Sequence, residues 1–398
     1  MSKTVVLAFS GGLDTCWCIP HIMQSGWNVV TATVDVGGFS PSDLKSLEKR
    51  SKELGALQHL VINAKDEFFQ EVLRYLIAGN VTRGGIYPLC VGAERALQAR
   101  EVAKVAQKLG AQAIGHGCTA AGNDQIRFEV AIRSYAPELE MLAPVRDETP
   151  TRVEQLALLE SLGFATPEKV AYSINSGLWG VTIGGTETTG TQESIPEDQW
   201  IRTNGAFDLP KSPLTITLGF QSGIPTNLNG EFLGPVELIE KLDIIAGSYG
   251  MGRGIHLGET ILGIKGRVAF EAPAATVILN AHRELEKLVL TKKQQQAKDH
   301  LSSLYGEMVH EGLFSEPACR DIEAFLVSSQ TRVTGEVKMT LRPGMVFVDG
   351  VSSPYSLHSA SRAVYGETVG EWTPQDAKGF GRIYGMSGIL HARAGGSN

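Results

Sequence analysis

The opening third of the chain alternates between two periodicities, and that alternation restricts the fold more than any other feature. Residues 5–9 (VVLAF) read as a buried strand, 16–25 as a helix and 28–36 as a second strand ending at Gly37-Gly38. Ser42 is placed to cap a helix running through Leu54, with Leu44, Leu47 and Leu54 on one face. A short strand at 60–63 and a helix at 67–77 follow. A longer helix at 93–109 is closed by Gly110, and strands fall at 113–116 and 141–144. Thr151 and Glu154 have capping-box spacing ahead of an apolar run at 156–162. Strands that alternate with helices pair in parallel and are covered on both faces. The fold class expected is therefore α/β, with a parallel-sheet domain over residues 1–165.

Beyond residue 166 the texture changes. Residues 175–235 are rich in Gly, Thr, Pro and Asn, with a strand-like run at 214–220. A strand is expected at 261–270, and Pro273 occupies a helix N1 position ahead of a helix to about 293. Helical runs follow at 296–311 and 321–328. Residues 335–341 and 345–348 flank Arg342-Pro343-Gly344 as a hairpin would. This half reads as a larger α+β domain, 166–364, closing over the substrates, with a Gly-rich, weakly patterned tail at 365–398.

Composition excludes several function classes. A net charge of −7 without a Lys/Arg block argues against nucleic acid as a partner. No window approaches an uninterrupted apolar span, and no leader pattern precedes the first strand, so a soluble cytoplasmic protein is expected. Five cysteines at 16, 18, 90, 118 and 319 lack metal-site or redox spacing and read as reduced thiols. No metal-ligand set is expected among the side chains.

The first strand empties into Ser10-Gly11-Gly12-Leu13-Asp14-Thr15. This is not a P-loop, and no GxGxxG follows the strand. Adjacent glycines turn the backbone sharply and bring consecutive N–H groups to one place, at the positive end of the next helix. Ser10 and Thr15 add hydroxyls, so a diphosphate fits, and a plain tight turn is the alternative. Asp14 either helps hold Mg²⁺ on phosphate oxygens or caps the helix. A second loop, Gly115 to Glu129, brings an amide (Asn123), a carboxylate (Asp124) and a guanidinium (Arg127) within one turn. Such a cluster suits an amino-acid ligand, and a capped helix with a surface ion pair is the alternative.

Together these loops carry a resemblance. The order SGGLDT resembles the pyrophosphate loop of enzymes that cleave ATP between its α and β phosphates. The second loop, Gly117 to Glu129, resembles G-x-T-x-x-G-N-D-Q-x-R-F-E of the argininosuccinate synthase family. Tyr172-Ser173-Ile174-Asn175, Leu178-Trp179-Gly180, the segment Gly263 to Arg267, Ala281 to Glu286 and Ser353 to Leu357 are similar to further segments of that family. The resemblance implies a Rossmann-like nucleotide domain followed by a catalytic and multimerisation domain. The implied enzyme is an AMP-forming ligase, joining citrulline to aspartate with ATP and Mg²⁺ in a homotetramer.

The resemblance assigns ATP to Ala8, Ser10, Gly11, Gly12, Leu13, Asp14, Thr15, Val34 and Gly117, with Thr119 and Asp124 nearby. It assigns aspartate to Thr119, Asn123 and Asp124. It assigns citrulline to Tyr87, Asn123, Arg127, Ser173, Thr182, Glu259 and Phe270. Several positions depart: Gly92 and Thr182 stand where the family has serines, and Phe270 where it has a tyrosine. A carboxylate aligns either with Glu259 or with Gly258, and Ala120-Ala121 replaces a glycine–lysine pair. No residue is assigned as general base, and Asp124 either orients the amine or binds ATP. The rival readings are an AMP-forming ligase for another ureido or amide compound, and a nucleotide sensor without catalysis.

Overall fold

The protein's structure, a computed structural model, describes residues 3–165, 171–208, 211–367 and 369–395. Five strands, β1 (Thr4–Ala8), β2 (Asn28–Asp35), β3 (Gln58–Asn63), β4 (Ala113–Gly115) and β5 (Glu140–Leu142), form one parallel sheet in the order β3-β2-β1-β4-β5. Val5 pairs with Val29 on one side and Ala113 on the other. The strand order reverses between β1 and β4, so their C-terminal loops part there and leave a crevice. Helices α1 (Leu13–Gln24), α2 (Pro41–Glu53), α3 (Arg95–Leu109), α4 (Asp124–Tyr135) and α5 (Arg152–Ser161) accompany these strands.

Local chemistry sets the ends of these elements. α2 is capped by Ser40, not Ser42: the Ser40 hydroxyl accepts from the Asp43 amide, and Asp43 accepts from the Ser40 amide. Pro41 at N1 fixes this start, because its missing N–H costs nothing there. The helix expected at 67–77 runs from Lys65 to Ala78 with a π-helical stretch at Phe69–Leu73. α3 starts only at Arg95, after a 3₁₀ turn at Gly92–Glu94, and Gly110 closes it at φ +63°.

The second half holds two antiparallel sheets. β6 (Ser173–Gly177), β7 (Gly180–Gly184), β11 (Arg253–Glu259) and β12 (Lys265–Glu271) are ordered β11-β12-β7-β6. β8 (Leu214–Gln221), β9 (Ile224–Leu228), β10 (Glu231–Phe232), β13 (Gly335–Arg342) and β14 (Met345–Ser352) are ordered β10-β9-β8-β13-β14. The hairpin at Pro343-Gly344 forms as expected, with Arg342 opposite Met345. Helices α6 (Pro235–Gly247) and α7 (Pro273–Val289) pack on the second sheet, and α8 (Lys292–Glu311) and α9 (Pro317–Gln330) pack on each other and on helical segments of the first half. α7 ends at Val289, earlier than expected, because Thr291 starts α8 with its own capping box on Gln294. The tail forms helices α10 (Pro374–Tyr384) and α11 (Met386–Ala394), which its glycines did not suggest.

One hydrophobic core runs through both halves. Val6, Val30 and Val34 of the parallel sheet share it with Leu76, Ile77, Trp179, Ile278, Leu285 and Val337. A smaller cluster of Val5, Leu7, Trp17 and Ile19 covers the other face of that sheet. Each fully buried aliphatic side chain contributes about 1.5–3 kcal/mol, so the shared core binds the halves strongly. A buried polar knot reinforces the joint. Lys298 donates to the Ala78 carbonyl at 2.7 Å and pairs with Glu286 at 2.7 Å, and Asn80 donates to Glu286 at 2.6 Å. All five cysteines are free, four of them buried. Among the described residues no helix is long and apolar enough to cross a membrane.

Candidate active site

The crevice at the β1/β4 reversal opens into a cleft of about 810 Å³, roofed by β6, β7, β11 and β12. Gly12 precedes α1 in extended conformation (φ −68°, ψ 166°), and the amides that follow are those a helix leaves without internal partners. The Ser10 and Thr15 hydroxyls lie 3.4 Å apart, and Thr15 also donates to the Gly12 carbonyl at 3.1 Å. Asp14 accepts from Gln155 of α5 at 2.7 Å. The second loop presses on the first: a Cβ on Gly117 would lie 2.9 Å from Thr15 Cγ2 and 3.1 Å from the Thr15 amide. Only glycine lets the loops meet so closely.

From the second loop, Asp124 accepts from Arg127 at 2.7 Å and from Arg95 at 3.0 Å. Burial raises the Asp124 carboxyl, but the two guanidiniums more than offset it and hold it at about 2. Arg95 also donates to Asn175 on β6, joining the nucleotide domain to the roof. Asn123 accepts from the Ile261 amide at 2.9 Å in the turn after β11. Glu94, 1% exposed, takes Arg95 and Gln98 on one oxygen and has no partner on the other. Burial pushes it up to about 8.

Most of the expected site residues line this one cleft: Ala8, Ser10, Gly12, Asp14, Thr15 and Val34 from the β1 side, and Gly117, Thr119, Asn123, Asp124 and Arg127 from the second loop. Tyr87, Ser173, Thr182 and Glu259 line it as well. Three do not. Gly11 sits at φ +77° facing α2, where a Cβ would fall 2.2 Å from Leu47 Cδ2. Leu13 packs into the apolar cluster beneath β1. Phe270 is buried behind Tyr87, ring centroids 5.2 Å apart, with Gly254 against its far edge. Glu259 lines the rim only: its carboxylate bonds Lys265 and is more than half exposed. Arg127, expected to be open toward a substrate carboxylate, already donates to Asp124, to the His310 carbonyl at 2.7 Å and against His310 Nδ1.

The structure adds Arg83, Glu94, Arg95, His256 and His310 to the cleft. Only the Glu94-Arg95 pair had a signal in the sequence: two charges inside the apolar run Leu89 to Leu97. The other three come from segments far apart, and only folding brings them together.

Comparison with known proteins bears on this geometry. The model described as arginosuccinate synthase N-terminal HUP domain matches residues 4–165, and the one for the arginosuccinate synthase C-terminal domain matches residues 172–391. Argininosuccinate synthase of Methanocaldococcus jannaschii is 38% identical over 393 residues, covering 98% of each chain. That of Dictyoglomus turgidum is 38% identical over 399 residues, covering 100% of this chain and 99% of the relative. That of Methanothermobacter thermautotrophicus is 42% identical over 358 residues, covering 89% and 88%. The chain belongs to the argininosuccinate synthase family.

Proposed function

We propose that the chain ligates citrulline to aspartate, converting ATP to AMP and pyrophosphate and releasing argininosuccinate. The observation that carries the reading is the meeting of the two loops. A glycine-rich helix N-terminus suited to a departing diphosphate lies against a carboxylate–guanidinium pair suited to amino acids, in one cleft.

A ureido oxygen is a poor leaving group, so it must first be activated. It attacks the α-phosphorus, and charge builds on the departing pyrophosphate. The α1 N-terminus and the Ser10 and Thr15 hydroxyls are fixed where they stabilise that charge without reorganising. The aspartate amine then attacks the activated carbon and AMP departs. Asn123 and Asp124 orient that amine, Asn123 through the NH₂ left free by its bond from Ile261. Mg²⁺ fits here only as an ion carried by phosphates. The described residues hold no cluster of three metal-ligating side chains, and Asp14 offers one carboxylate already shared with Gln155. Bound there, the ion would neutralise phosphate charge.

The test is pyrophosphate release from ATP and Mg²⁺ with citrulline and aspartate together, singly and omitted, with the product identified by mass. Release that requires both, slowed roughly 100-fold in Ser10→Ala, is the expected outcome. ATP binding without release under any pairing would replace the ligase by a nucleotide sensor. We further propose a homotetramer: α10 and α11 are almost wholly exposed, and Phe380, Ile383 and Tyr384 lie open on one stretch.

A further inference from the structure

The end of the cleft around Tyr87 holds more positive charge than its own carboxylates answer. Arg127 Nη2 lies 3.2 Å from His310 Nδ1, and Arg83 Nη1 lies 3.1 Å from His310 Nε2. A neutral imidazole has one lone pair and one N–H, so it accepts from only one of two guanidiniums. Burial, then Arg127 and Arg83, hold His310 down to about 3, so the ring is neutral and accepts only one of the two arginine N–H groups aimed at it; Arg83 Nη1 also donates to the Glu259 carbonyl at 2.9 Å. His256 adds a further donor in the tautomer that carries its proton on Nε2. It is 8% exposed, stacks on Tyr87 at 5.3 Å, and its Nε2 has no partner.

The cleft supplies the open volume beside these groups, and three glycines bring the backbone against them where a side chain would crowd or collide. A Cβ on Gly258 would lie 2.6 Å from His256 Nε2 and 3.5 Å from Arg83 Nη1. One on Gly84 would lie 3.0 Å from His256 Cε1, and one on Gly92 3.3 Å from Arg127 Nη2. The carboxylates at this end are already engaged. Asp124 is divided between two arginines, Glu259 turns out to Lys265, and Glu307 meets Arg83 Nε from the half-exposed side. Phe270 contributes a ring and no polar atom. A carboxylate placed here satisfies the unpaired donors, whereas an ammonium group meets like charge.

We propose that Arg83, His256 and His310, beside Arg127, form a carboxylate-recognition subsite that lets the enzyme ligate ureido acids whose tail is wholly anionic, with no ammonium group beside the carboxylate. This rests on the ligase reading above and names the acceptor class for the same site. The chemistry is unchanged and redox-neutral. The ureido oxygen bonds to the α-phosphorus as the bond to pyrophosphate breaks. The aspartate nitrogen then bonds to the ureido carbon as the carbon–oxygen bond to AMP breaks, and the amine proton passes to solvent.

The test compares L-citrulline, 5-ureidopentanoate and (3-ureidopropyl)malonate on the full chain, by pyrophosphate release with ATP, Mg²⁺ and aspartate and by calorimetric binding of each acceptor. Both anionic-tailed acceptors are expected to reach a kcat/KM at least equal to that of citrulline. Arg83→Gln or His256→Gln is expected to lower the anionic-to-citrulline ratio tenfold or more. Citrulline favoured tenfold over both, or a ratio unchanged in both variants, overturns the subsite. The acceptor comparison is made on the unaltered chain, so it stands even where a variant fails to fold. If no acceptor releases pyrophosphate, the ligase reading fails and calorimetry decides alone. Tighter binding of the malonate than of citrulline supports the subsite, and equal or weaker binding overturns it.

Discussion

At the scale of single residues, the chain Glu94–Arg95–Asp124 shows how burial and pairing act oppositely on two carboxyls joined by one guanidinium. Asp124, between two arginines, stays ionised far into acid. Glu94 is held up to about 8, from an ordinary 4.5, by burial first. The folded state therefore keeps a proton on Glu94 that the unfolded chain has lost. Glu94's contribution to stability is complete below about pH 4.5 and declines as pH rises through about 8, by at most about 1.4 kcal/mol per pH unit. Glu94→Gln, which cannot ionise, should flatten the decline in denaturant-measured stability between about pH 5 and 8. An unchanged slope would mean that Glu94 is not protonated in the folded state. The sequence made Ser10 through Thr15 and Asn123 through Arg127 legible because each set is contiguous and its chemistry is local. Arg83, His256 and His310 carry no such mark, since each is an ordinary polar residue until folding places it beside the others.

At the scale of elements, strand and helix positions in the first half were readable from periodicity, and the errors concern where helices begin. Ser40 outcompeted Ser42 because the Ser-Pro-x-Asp order supplies both the N1 proline and the reciprocal acid of a capping box. Gly37-Gly38 was visible in the sequence only as a strand end. In the fold it is the contact on which the β6–β7 hairpin rests. The Leu178 amide donates to Val36 at 3.0 Å, and a Cβ on Gly38 would fall 2.0 Å from the Ser176 carbonyl oxygen. That oxygen belongs to the backbone and cannot rotate away. Gly38→Ala should cost about 1–3 kcal/mol of stability and loosen the roof of the cleft. A lowered urea midpoint together with weakened substrate binding would show this, and an unaltered midpoint would contradict it.

At the scale of the whole molecule, the tail is the part least attached to its own chain. Its helices touch each other, and within α10 Phe380 stacks on Tyr384 at 4.8 Å while Ile383 is left 72% exposed. Cutting the chain before Thr373 should lower the particle mass seen by light scattering from that of the proposed tetramer to a smaller assembly. A tetramer that survives the cut would place the subunit contacts elsewhere. The continuous core has a different consequence, one for traffic. The sequence suggested a second domain that closes over bound substrates, but Lys298, Glu286 and Asn80 lock the two halves at a buried seam, and Trp179 donates to the Pro88 carbonyl across it. Swinging the halves apart as rigid bodies would have to break these buried contacts. Entry and exit would then fall to short segments at the rim, above all the turn after β11, whose Ile261 amide donates to Asn123. Asn123, proposed above to orient the substrate amine, would then also be the latch on the door, and turnover would be paced by how often that latch lifts.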